Sequence, residues 1–83
     1  MNNRQRKAMF ARIKGKPIVH IFKFEPNNVN NPTNKSIYRV HSGRPGEDFN
    51  RHYARFNSRS SAYNYARIEA RRIGAKKITY GVD

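Results

Sequence analysis

The chain has 83 residues, with 18 lysines and arginines against five acids, for a formal net charge of +13. That length suits one domain, and a domain this small buries only about 60–65% of its unfolded surface. With no cysteine in the chain, disulfides, thiolate metal sites and thiol nucleophiles are excluded together.

Cysteine usage fits a reducing, cytoplasmic setting. No apolar run approaches the ~18 residues of a membrane span, and no signal-peptide core opens the chain. A compact body this basic repels itself unless it meets a polyanion. Nucleic acid, DNA or RNA, is the partner that charge of this kind points to. An acidic protein is the second partner class.

Residues 2–16, NNRQRKAMFARIKGK, carry six basic residues and no acid. Met9, Phe10 and Ile13 are spaced as one apolar stripe of a short helix, and Gly15 and Pro17 end it. The segment is a docked helix or a basic arm presenting Arg4, Arg6, Lys7, Arg12 and Lys14. Residues 17–25, PIVHIFKFE, are rich in β-branched and aromatic types and predict a strand. PNNVNNPTN, 26–34, predicts a mobile loop. Residues 35–41, KSIYRVH, alternate as a second strand; SGRPGED, 42–48, predicts a hairpin connection; Phe49 to Phe56 predicts a third strand.

Beyond Phe56 the period changes. Asn57 and Ser58 are capping residues before RSSAYNYARIEARRI. Ala62, Ala66, Ala70 and Ile73 share one helix face, while Arg67 and Arg71 point away. Gly74 suits the C-terminal cap, with Arg71 and Arg72 in the last turn. Glu69 lies near the apolar face, within reach of Arg72 or of a strand arginine. Residues 77–82, KITYGV, predict a short last strand.

The expected fold is α+β: a small antiparallel sheet of three to four strands, with N-terminal and C-terminal helices packed on one face. It forms a single basic domain, 1–83, with the arm or short helix at 1–16 and the sheet-plus-helix core at 17–82. The alternation is read as burying Phe22, Phe24, Tyr38, Val40, Ala54 and Phe56 beneath the helices. The open face then gathers Lys23, Arg39, His41, Arg51, Tyr53 and Arg55. Guanidiniums pair with phosphates through charge-assisted, often bidentate bonds. Tyrosine rings and arginine planes stack on unpaired bases, and arginines in a groove read base edges.

Catalytic motifs are sparse. The three histidines, at 20, 41 and 52, have no metal-ligand spacing, and no P-loop, GxSxG or GxGxxG is present; no cofactor is expected. One enzymatic route survives, metal-independent RNA cleavage by a histidine or tyrosine with arginines stabilising the transition state. His41 or His52, with Arg39, Arg51, Tyr53 and Arg55, would supply that set, as in small toxin-type endoribonucleases.

The order helix–strand–strand–strand–helix, with Ser58-x-x-x-Ala62-x-x-x-Ala66 opening the second helix, resembles double-stranded RNA-binding domains. It is also similar to the three-strand-plus-helix modules that lay a sheet on DNA, as in integrase arm-binding domains. NSRSSAYNYA stands where the RNA-binding family carries a glycine-rich turn and a Ser-Lys-Lys entry, and the strand at 77–82 is additional. No residue roles are carried across. The expected function is non-enzymatic nucleic-acid binding through Lys23, Arg39, His41, Arg51, Tyr53 and Arg55, the arm residues Arg4, Arg6, Lys7 and Arg12, and Arg67 and Arg71 of the helix. The alternatives are the endoribonuclease and an inhibitor occupying an acidic or nucleic-acid-binding site on another protein.

Overall fold

The computed structural model describes residues 15–27, 29, 31–49 and 52–82. These form β1 (Ile18–Phe24), β2 (Ile37–Gly43), β3 (Tyr53–Phe56), α1 (Arg59–Ile73) and β4 (Thr79–Val82). The helix expected within 2–16 lies outside the described residues, as do Arg4, Arg6, Lys7, Arg12 and Arg51.

The strands form one sheet in the order β3-β2-β1-β4. β1 pairs antiparallel with β2, and β2 with β3. β4 pairs parallel with β1, starting level with His20. The sheet is therefore mixed, where an antiparallel one was expected. The cause is the connection: α1 takes the chain from the end of β3 back across the sheet, so β4 must run in the direction of β3 and β1. Parallel strands need a crossover of this length, commonly a helix.

Local chemistry fixes both ends of α1. Ser58 is extended (φ −131°, ψ 147°) and its Oγ accepts from the Ser61 amide at 3.1 Å. At the other end Gly74 adopts φ 75°, the left-handed conformation that favours glycine. Its amide and that of Ala75 both donate to the Ala70 carbonyl. Orphan groups at both ends are thereby satisfied.

The sheet is apolar on both sides. On the helix side Val19, Ile21, Tyr38 and Val40 pack against Ala62, Ala66 and Ile73. The two alanines leave little side chain between helix and sheet. On the far side Phe22, Phe24, Ile37 and Phe49 form a second buried cluster, flanked by Ile18. Phe22 and Phe24 thus do not share a layer with Tyr38 and Val40, contrary to the expected face assignment. β1 is central and covered on both faces, so its near-continuous apolar sequence carries no alternation to orient it. A one-residue difference in phase moves every side chain to the other face.

Two connections also differ from expectation. The third strand begins at Tyr53 instead of Phe49, because Phe49 turns into the second cluster and is buried. The asparagine-rich loop, expected to be mobile, is held from within by the fully buried Asn31. Its Nδ2 donates to the carbonyls of Phe24 at 3.0 Å and Lys35 at 2.7 Å, bridging the two ends of the loop. Its Oδ1 accepts from the amide of Thr33 in an Asx-turn. Among the described residues no helix is long and apolar enough to cross a membrane.

Candidate functional site

Cross-strand pairing sets the far face in rows. One row is Phe22, Arg39 and Arg55; the next is His20, His41 and Tyr53. Residues paired across strands share a face, so β3 presents Tyr53 and Arg55 on the side away from α1. His52, Ala54 and Phe56 face the helix, and His52 lies close enough to Glu69 to lower its pKa.

The part of this face over β1 and β2 is closed, whereas an open platform was expected. Phe49 covers it, and His41 is fully buried beneath. Nδ1–H of His41 donates to the Phe49 carbonyl at 2.9 Å. Burial depresses its pKa, with Arg39 adding to the effect against the opposing Phe49 hydrogen bond. His41 is therefore a neutral internal strut and not a surface contact, a correction to the expected site. Its partner His20 is also buried and bonded through Nδ1 to Thr79 Oγ1 at 2.6 Å. Burial, and then the neighbouring His41, pull the His20 pKa down to about 4. Nε2 of each histidine has no hydrogen-bond partner among the described residues.

Lys23 is the second correction. Its register places it beside Tyr38 and Phe56, on the helix side of β1, where it pairs with Glu25 at 3.4 Å. The same phase difference that moves Phe22 and Phe24 to the far face removes Lys23 from it.

What remains on the far face is narrower and more ordered than expected. Tyr53 is 48% exposed, Arg55 is exposed and Arg39 is half-buried. The Tyr53 ring stacks on His41 at 4.9 Å with an interplanar angle of 20°. The Arg39 guanidinium lies 4.7 Å from the Tyr53 ring centroid and 4.8 Å from that of Phe24. Arg39 is thus held between two rings on a buried aromatic floor. Like charges placed opposite on adjacent strands repel, and Arg39 and Arg55 occupy such a pair. Among the described residues Arg55 makes no ion pair.

The helix carries a second group of arginines. Arg67 and Arg71 are exposed. Arg59 sits over Tyr80 at 4.7 Å and over Tyr63 at 5.6 Å, while Arg67 sits over Tyr63 at 5.8 Å. Sequence reading missed Arg59 and Tyr80, although Arg59, Tyr63 and Arg67 follow at the four-residue spacing that aligns helical side chains. A cleft of about 610 Å³ near the C-terminal end of α1 adds Lys16, Lys76 and Lys77 around the apolar Pro17, Ile18 and Val19.

Three of the acids are engaged within the fold. Glu69 accepts from Tyr65 Oη at 2.8 Å and from Arg72 Nε at 2.6 Å. Burial opposes its ionisation, but those two bonds and the Arg72 and His52 charges outweigh it and hold the carboxyl below its usual range. Glu25 pairs with Lys23, and Glu47 accepts from the Arg44 amide. Among the described residues no three histidine or acidic side chains group closely enough to hold a metal ion. Comparison with protein-family models, curated proteins and solved structures finds no match for this chain.

Proposed function

We propose that the protein is a non-enzymatic nucleic-acid-binding module that uses the strip of Arg39, Tyr53 and Arg55. The observation that carries this reading is the pairing of Arg39 with Arg55 across β2 and β3, beside a Tyr53 ring braced on buried His41. Arg55 is exposed beside that ring, and a guanidinium so placed pairs with phosphate through charge-assisted, often bidentate bonds. Bracing lowers the ordering cost of each contact, which favours affinity. The formal charge of +13 supplies the long-range attraction that gathers and steers a polyanion. Phosphate neutralisation with counterion release gives the affinity, and the half-exposed Tyr53 ring offers a base a stacking surface.

The test is fluorescence anisotropy with labelled duplex DNA, single-stranded RNA and duplex RNA. Arg55→Ala should weaken binding to whichever ligand binds best. Tyr53→Ala should cost a single strand about 1–3 kcal/mol, the worth of a base stacked on an aromatic ring. Lys35→Ala, in the loop before β2, is the surface control. Absence of binding to all three ligands at physiological salt, or equal losses for Arg55→Ala and Lys35→Ala, overturns the assignment.

A further inference from the structure

The two arginine–tyrosine groups lie diagonally opposite one another. One stands on β3, on the face away from α1. The other gathers Arg59, Tyr63 and Arg67 of α1 with Tyr80 of β4, on the helix side. β3 and β4 are the two edges of the sheet, three strand spacings or roughly 14 Å apart. The sheet and its buried helix-side core separate them in the third dimension.

The helix-side group is ordered in the same way as the far-face strip. Tyr63 and Tyr80 stack with centroids 6.2 Å apart and an interplanar angle of 19°. The Arg59 guanidinium lies over both rings, and Asn64 Oδ1 accepts from Arg67 at 3.0 Å. Neither arginine makes an ion pair among the described residues. Pre-set guanidiniums beside aromatic faces suit phosphates and bases better than carboxylates alone. A short nucleic-acid segment lying flat along one side of the sheet meets only the group on that side.

From this placement we infer that a single chain holds two nucleic-acid segments at once, one on the β3 strip and one on the Arg59–Tyr80–Tyr63–Arg67 cluster, and so bridges them. The inference rests on the nucleic-acid-binding reading. It adds a second site and a bridging activity.

A bead-capture assay tests it. One copy of the tightest of the three anisotropy ligands is held on beads, and a second, fluorescent copy is free in solution. Sedimentation of the protein alone is run at the same concentration. Wild type should bring the fluorescent copy to the beads and sediment as a monomer. Arg55→Glu alone, or Arg59→Glu with Arg67→Glu, should each reduce capture by roughly tenfold or more while leaving measurable anisotropy binding through the other site. All three positions are exposed, and circular dichroism verifies that the variants fold. Wild type that binds in anisotropy but captures nothing overturns the inference and spares the binding reading. Capture by a sedimenting dimer, or capture insensitive to the helix variant, also overturns it. Failure to bind any ligand removes both.

Discussion

Individual side chains show where polar groups have been drawn inside. His20 and His41 read in the sequence as strand histidines of either face, and His41 as a surface contact. Nothing local announces burial, because the cover comes from Phe49, eight residues beyond His41. Their titration has a definite consequence for stability. In the folded protein His20 takes up a proton only near pH 4, against 6.5 for a free imidazole. Between those values the unfolded chain binds more protons, so folding stability rises with pH. The contribution is complete above about 6.5 and is lost as the pH falls towards 4, a change of up to about 3 kcal/mol for His20. His41 acts in the same direction. Glu69, with its lowered carboxyl pKa, adds stability above its ordinary range that is lost on further acidification. Thermal unfolding should therefore show a melting temperature that drops from pH 7 to pH 4.5, less steeply in His20→Gln. A melting temperature flat across that window contradicts the buried, neutral assignment.

Elements were legible in proportion to how one-sided they are. The helix was readable at both ends, since Ser58 and Gly74 are residues whose chemistry demands a cap. Its buried face was readable from Ala62, Ala66 and Ile73. β2 and β3 alternate, and Tyr53 and Arg55 fall on the face their phase predicts. β1 was not legible, because a central strand with apolar groups on both faces has no phase to read. From that one ambiguity came the misplacement of Phe22, Phe24 and Lys23. Phe49 was hidden differently: a single aromatic at the end of a turn-rich segment has no period at all. Its weight is testable. Phe49 is 1% exposed and caps the cluster with Phe22, Phe24 and Ile37. Phe49→Ala should cost about 3–5 kcal/mol, a large fraction of the ~5–15 kcal/mol available to a small domain. Denaturant unfolding should show the midpoint collapsing. A loss below about 1 kcal/mol, the range of ordinary surface changes and mild core swaps, contradicts a second core.

For the molecule as a whole, the direction of β4 follows from the path of the chain and not from its own residues. KITYGV predicts a strand, but only the return of α1 across the sheet decides that β4 lies parallel to β1. The same crossover brings Tyr80 to Tyr63 and Arg59, uniting residues far apart in sequence into a group that no local pattern discloses. Charge, by contrast, was fully visible in composition. What the fold adds is its disposition, with Glu25, Glu47 and Glu69 tied to internal partners and arginines displayed on both sides of the sheet. On the proposed reading this display neutralises phosphates. The most direct test is the salt dependence of binding to the best of the three nucleic acids, for wild type and for Arg55→Ala. Several phosphate contacts predict a slope of log K on log salt of about −4 or steeper, and removing Arg55 should make it shallower by about one. A slope near zero, or one that Arg55→Ala leaves unchanged, would contradict phosphate binding by this face.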